Sequence, residues 1–421
     1  MKTVDVRTDL GVIRGLEERG IRVFRGVPYA KPPVGERRFT APESPDAWDG
    51  VLEAFKDPAQ CPQPDMTQGF YGKEFYTDPA FPLPEMSEDC LYLNIWAPED
   101  VQNAPVAMWI HGGGFDHGFN SEMEFDGKAF AERGVILVTI NYRVGVFGFL
   151  ALEELREADP HHSAGNMGIL DQIAALNWIR THIAAFGGDP ERITVFGQSA
   201  GAMSTETLIC SDLTKGMIHG ALMQSAAGLD MGLKKYKTAE EAYAVGACIM
   251  ELTGTKNVKE LREVPAMRFV EILPELYART GGLTFVPVVD GYVLKEPQEE
   301  TIRAGKLPEI PYMLGSTAQD ITVPEGTDGR ESAWYKGIKA WTDLYSDHAW
   351  RYYFDHPLPS DSAGSFHSSE LWYVFGTLGR CWRAMQEDDY RLSEEMVEAW
   401  VSFFRSGDPG WEKAPYCRTF E

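Results

Sequence analysis

Basic residues are the first shortage in this chain: 39 Lys and Arg stand against 63 Asp and Glu, a formal net charge of −24 over 421 residues. Binding to nucleic acid or to an anionic membrane surface rests on clustered Lys and Arg, so neither is an expected partner. Strongly anionic substrates are disfavoured for the same reason, and the field of one sign keeps the protein dispersed. Long apolar runs are missing too, and no window is long and apolar enough to span a bilayer. Met1-Lys2-Thr3-Val4-Asp5-Val6 lacks the basic-then-apolar character of a secretion signal, which makes the cytoplasm the expected setting. The six cysteines, at 61, 90, 210, 248, 381 and 417, include no C-x-x-C pair. A zinc site or a thioredoxin-like redox pair is thereby disfavoured. There is no low-complexity linker, internal repeat or abrupt change of composition, so the expectation is one large domain over 1–421.

What is present is a core-forming composition, 44% hydrophobic, with short apolar runs that stop at glycine or a polar loop. Val106 to Ile110, Val135 to Ile140, Ile193 to Phe196, Ala221 to Met223 and Tyr312 to Leu314 read as buried strands of a mostly parallel sheet. Between them Asp171 to Phe186 repeats Ile173, Leu176, Ile179 and Ile183 at helical spacing, a face that would cover the sheet. Near the carboxyl end Ser393 is a candidate N-cap for a helix with the stripe Val397, Trp400, Val401 and Phe404, ending before Gly407. Alternating strands and helices predict a doubly wound α/β sheet with its active groups at the carboxyl edge of the strands.

Phe196-Gly197-Gln198-Ser199-Ala200-Gly201 follows directly on a β-branched run. A G-x-S-x-G pattern there predicts a serine on a sharp strand-to-helix turn, with glycines where the backbone leaves no room for side chains. Upstream, Met108-Trp109-Ile110-His111-Gly112-Gly113-Gly114-Phe115 is another apolar run ending in glycines, and it reads as an oxyanion loop. Its N–H groups would join that of Ala200. The triad order serine, acid, histidine leaves four histidines after Ser199. His219 and His348 each precede a strand, so the contest is between His356 and His367, which position does not decide. Asp320, after the strand at 312–314, is a better acid than Asp290, whose Asp-Gly pair suggests a tight turn.

Several segments resemble the type B carboxylesterases, the α/β-hydrolase family that includes cholinesterases and bacterial p-nitrobenzyl esterases. They are Phe24-Arg25-Gly26-Val27-Pro28-Tyr29-Ala30, Ser87 to Trp96, the His111 loop, Asn141-Tyr142-Arg143, and Gly165-Asn166-Met167-Gly168 running into Asp171-Gln172. The resemblance implies an α/β-hydrolase fold and a triad of Ser199, Asp320 and His367, with Asp320 where the family usually has glutamate. It implies oxyanion donors at Gly113, Gly114 and Ala200, and a supporting serine at Ser225. It further implies a Cys61–Cys90 disulfide, which need not form in a reducing cytoplasm, and an Arg38–Glu88 ion pair. Gln198 departs from the family's glutamate, and the short acid-to-histidine interval and carboxyl end imply a compact lid region. Ala80 falls about where cholinesterases hold choline with tryptophan, so a choline ester is a poor guess.

The expected activity is hydrolysis of uncharged carboxylic esters through an acyl-enzyme, with no metal or organic cofactor, by a monomer or homodimer. Two other readings share these features: a non-catalytic neuroligin-like binding protein, and an amide hydrolase or acyltransferase with the same triad. Phe70, Tyr71, Phe75 and Tyr76 are expected to pack under the Cys61 to Cys90 loop rather than to line the substrate entrance.

Overall fold

The computed structural model describes residues 2–321, 323–324 and 326–421. Fourteen strands occur among them, in chain order β1 Lys2–Arg7, β2 Val12–Glu18, β3 Ile21–Pro28, β4 Val51–Glu53, β5 Tyr92–Pro98, β6 Ala104–Ile110, β7 Ile136–Ile140, β8 Gly188–Gln198, β9 Gly220–Gln224, β10 Lys237–Thr238, β11 Val288–Val289, β12 Tyr312–Thr317, β13 Ala349–Phe354 and β14 Arg418–Phe420. Twelve make one sheet along the path β1-β2-β3-β5-β7-β6-β8-β9-β12-β13-β14, with β4 beside β2. From β7 to β14 every neighbouring pair on that path is parallel, while the amino-terminal edge from β1 to β7 pairs antiparallel.

The parallel strands are buried on both faces, which is why they read as unbroken apolar runs. Successive side chains point to opposite faces: Val106, Met108 and Ile110 of β6 join one core, and Ala107 and Trp109 join the other. The helix Met167–His182 packs Ile169, Leu176 and Ile179 into the first core. The helix Glu387–Ser406 packs Met396, Val397, Trp400 and Phe404 into the second, against Trp109 and Phe196. The sheet is thus covered on both sides, as an α/β-hydrolase requires.

Two boundaries differ from expectation. The helix expected over Asp171 to Phe186 starts at Met167 and tightens into a 3₁₀ turn over Ile183–Phe186, closed by left-handed Gly187. The carboxyl-terminal helix starts at Glu387 instead of at Ser393, because Gln386 and Asp389 cap it reciprocally. Ser393 is a buried interior residue whose hydroxyl donates to the Tyr373 carbonyl at 2.8 Å. The acidic first turn carries no apolar period, so hydrophobic patterning cannot see it. No helix among the described residues is long and apolar enough to cross a membrane.

Candidate active site

Ser199 sits between the end of β8 and the helix Ala200–Cys210 with φ 56° and ψ −123°, a strained conformation for a residue with a side chain. Neighbouring elements impose it. Its N–H donates to the Gln224 carbonyl at the end of β9 (2.9 Å), and the helix packs so tightly on β6 that a Cβ on Gly201 would lie 2.0 Å from the Ile110 oxygen. Ser199 is therefore pushed out at the carboxyl edge of the sheet, half-buried, with the Ala200 N–H at the first turn of the helix.

The glycine loop continues from β6 on the same edge. Gly113 has φ +93°, and a Cβ there would lie 2.1 Å from the His117 oxygen, so no larger residue fits the turn. His111 anchors the loop from below: fully buried, it stacks on Tyr142 with ring centroids 4.4 Å apart and reaches the Gly112 carbonyl at 3.0 Å. Burial pushes its pKa down to about 3, so it stays neutral.

Asp320 and His367 meet beside this loop. His367 Nδ1 lies 2.5 Å from Asp320 Oδ1, and both side chains are buried. Asp320 also accepts from the Ser225 hydroxyl (2.6 Å) and the Ile321 N–H (2.9 Å). Burial opposes its charge, but these donors and His367 outweigh it and hold the carboxyl below its usual range. Burial likewise opposes protonation of His367, yet the Asp320 charge prevails and its pKa is raised above the ordinary histidine value. Gln319 ties the two loops together. Its N–H donates to the Ser365 carbonyl (3.0 Å), and its side-chain oxygen accepts from the Ser365 N–H (2.6 Å).

The other candidates lie elsewhere. His356 Nε2 is 2.8 Å from Asp389 at the cap of the carboxyl-terminal helix, and His219 contacts the Ile193 N–H. Asp290 accepts three backbone N–H groups within its own turn. Arg38 and Glu88 form the expected ion pair, with Arg38 Nε 2.6 Å from Glu88 Oε2. Cys61 and Cys90 are both buried and unlinked.

Ser199, His367 and Gln198 line one cavity of about 350 Å³ with Gly112, Gly113 and Gly114. Tyr71, Phe75 and Tyr76 line it too, against the expectation of packing beneath the Cys61 to Cys90 loop, while Phe70 is exposed and packs edge-on to Phe366. The Gln198 amide nitrogen lies 3.1 Å from His367 Nε2 and 3.4 Å from Nδ1, so the amide faces the nitrogen that would receive a proton from Ser199. A serine–histidine hydrogen bond by which Ser199 would pass that proton is of a kind that commonly tightens only when substrate enters.

Sequence reasoning missed Glu370. It is fully buried, accepts from Gln224 Nε2 at 3.2 Å, and is pushed up to about 7 by burial and then by the Asp320 charge. Its spacing from His367 was the available signal, but a carboxylate without a partner in sequence cannot be told from a surface one. Among the described residues no cluster of His, Cys, Asp and Glu is placed to hold a metal ion.

Comparison with known proteins sets the chain among esterases. The chain is 35% identical to the para-nitrobenzyl esterase of Bacillus subtilis (strain 168), over 97% of this chain and 91% of that protein. It is 31% identical to the fumonisin B1 esterase of Sphingopyxis macrogoltabida, over 98% and 84%. Among solved structures, a PNB esterase superposes with a TM-score of 0.87 at 32% identity, covering 99% of this chain and 95% of that one. A carboxylesterase of Geobacillus stearothermophilus gives 0.82 at 33%, covering 98% and 93%. The sequence pattern of the carboxylesterase family matches residues 2–333 and 330–419, and the chain belongs to that family of serine esterases.

Proposed function

We propose that Ser199 is the acyl-accepting nucleophile of this carboxylesterase, with His367 as general base and Asp320 as the group that orients and charge-stabilises the imidazole. His367 takes the proton from Ser199 as its oxygen attacks the carbonyl carbon of an uncharged carboxylic ester. The N–H groups of Gly113, Gly114 and Ala200 hold the oxyanion. The proton returns from His367 to the leaving alcohol, giving an acyl-enzyme. Water then attacks with the same histidine as base, releasing the acid and restoring Ser199. Ser225 donates to the second oxygen of Asp320, and the Gln198 amide contacts the imidazole.

The observation that carries this reading is the opening of the strained Ser199 turn into the same cavity as a histidine hydrogen-bonded to a buried carboxylate. The mostly aromatic and aliphatic lining argues against anionic acyl groups. We further propose that residues 1–421 act as one hydrolase domain, monomeric or dimeric, in the cytoplasm. Sizing of the purified protein and fractionation of its native cells test these points.

Ser199→Ala should lower p-nitrophenyl acetate turnover by about four orders of magnitude or more while leaving the fold intact. A serine-reactive phosphonate should add its mass to the peptide containing Ser199. Near-normal turnover in the variant, or labelling elsewhere, would overturn the assignment.

A further inference from the structure

Asp116 and His117 follow the oxyanion glycines, and the chemistry above gives neither a part. His117 lines the catalytic cavity on the glycine loop. A tight turn fixes it there, since the Asp116 and His117 N–H groups both donate to the Gly113 carbonyl, at 3.0 and 3.1 Å. Its Nδ1 is hydrogen-bonded to Asp116 Oδ1. The other oxygen of Asp116 accepts from the Tyr277 hydroxyl at 2.6 Å. Tyr277 comes from the helix Leu273–Thr280, 161 positions along the chain. Burial and then the Asp116 charge hold its hydroxyl well above the usual tyrosine range, so it keeps its proton and donates.

These contacts decide what the imidazole offers. A carboxylate only accepts, so the proton at the Asp116 contact sits on Nδ1, and the neutral ring keeps its lone pair on Nε2. The wiring repeats that of the catalytic pair, in which Asp320 accepts from Ser225 at one oxygen and faces His367 Nδ1 at the other. Both histidines line one cavity. His367 Nε2 has the Gln198 amide at 3.1 Å, whereas among the described residues the His117 ring bonds through Nδ1 alone. The ring carbon beside Nε2, Cδ2, would stand 3.0 Å from a Cβ on Gly113, so the open nitrogen lies next to the oxyanion loop. In a largely aromatic and aliphatic cavity, a polar atom without a protein partner is one that a ligand can satisfy. A hydroxyl fits it in either protonation state, donating to the neutral ring and accepting from the imidazolium.

We propose that His117 Nε2 binds a hydroxyl of the substrate, so that the enzyme selects esters carrying a hydroxyl over those with a methyl group in its place. The proposal rests on the esterase reading above and deepens it. Asp116 and Tyr277 stand outside the cavity lining and act by orienting the ring. The same chemistry serves a hydroxyl on the acyl or on the alcohol half of the ester, and the test separates the two.

The test uses two isosteric pairs, hydrolysed near neutral pH in a pH-stat. Methyl 3-hydroxybutanoate against methyl 3-methylbutanoate varies the acyl half, and 2-hydroxypropyl acetate against 2-methylpropyl acetate varies the alcohol half. For each pair the ratio of kcat/KM, hydroxy over methyl, is compared between the wild type and His117→Phe, so that intrinsic ester reactivity and any loss of folded enzyme cancel. In at least one pair the ratio should fall by about fivefold or more in the variant, the worth of one hydrogen bond. The pair that responds names the half that carries the hydroxyl. Ratios unchanged or raised in both pairs overturn the proposal, since a residue that merely braced the glycine loop would slow all these esters alike. If the variant has no measurable activity, wild-type hydrolysis of p-nitrophenyl acetate is inhibited with 1,2-propanediol against 2-methyl-1-propanol, and with 3-hydroxybutanamide against 3-methylbutanamide. Stronger inhibition by the hydroxylated member of either pair supports the subsite, and equal or weaker inhibition in both overturns it. A wild type that hydrolyses none of these esters defeats the esterase reading, whereas hydrolysis without a His117-dependent ratio defeats only the subsite.

Discussion

At the scale of single residues, the electrostatics around His367 decide how the enzyme responds to pH. The imidazole must be neutral to accept the serine proton, so kcat/KM should rise with pH through a midpoint above the usual histidine value, in the direction of its raised pKa. Gln198 touches the ring without charging it. Gln198→Glu would set a carboxylate at that contact and favour the imidazolium, moving the midpoint higher and cutting activity on the acidic side. A pH profile of kcat/KM with p-nitrophenyl acetate reads this shift, and an unmoved or lowered midpoint would contradict it. That Gln198 stands in the elbow was legible in the sequence. Its contact with a residue 169 positions away was not, because the two approach only when the strand that ends at Gln198 and the loop after β13 meet at one edge of the sheet.

At the scale of elements, the legible parts were those set by local stereochemistry. Gly197 and Gly201 of the Ser199 turn and Gly112 and Gly113 of the oxyanion loop mark places where neighbouring backbone leaves no room for a Cβ, and that demand is written within a few residues. The start of the carboxyl-terminal helix was illegible for the opposite reason, since its cap is polar and lies outside the apolar stripe. One side-chain pair locks the elements behind the site. Arg143, after β7, gives its N–H, Nε and a terminal nitrogen to Asp171 of the helix Met167–His182 at 3.0, 2.8 and 2.7 Å, with both residues essentially without exposure. Removing one partner leaves an uncompensated buried charge. Asp171→Asn should therefore lower unfolding stability by about 3–5 kcal/mol in urea titration. A change below about 1 kcal/mol, within the range of an exposed pair, would show that the lock is dispensable.

At the scale of the whole molecule, the sheet gathers residues from distant segments around one cavity, and its volume limits the substrate. With p-nitrophenyl esters of increasing acyl length, kcat/KM should first climb by up to about fourfold per added methylene, as each CH₂ is buried on the apolar walls. It should then fall once the roughly 350 Å³ cavity is filled. A flat profile across the series would mean that the acyl chain stays outside. The excess of negative charge is mainly a matter of dispersion. The overall balance disfavours strongly anionic substrates, but composition cannot distinguish a solvated carboxylate from a buried one.

The sequence by itself determined the buried parallel strands, the Ser199 elbow and the glycine loop, because each follows from backbone period and turn stereochemistry over short stretches. Strand and loop positions do not separate two histidines that each hold an aspartate, and only the tertiary structure shows where each lies: His356 is 2.8 Å from Asp389 at a helix cap, and His367 is 2.5 Å from Asp320 at the serine's cavity. It also brings Glu122 and Glu124, far from Ser199 in the chain, to the lining of that cavity. Such convergence depends on strand order and on packing between segments far apart in the chain, which no local pattern of residues encodes.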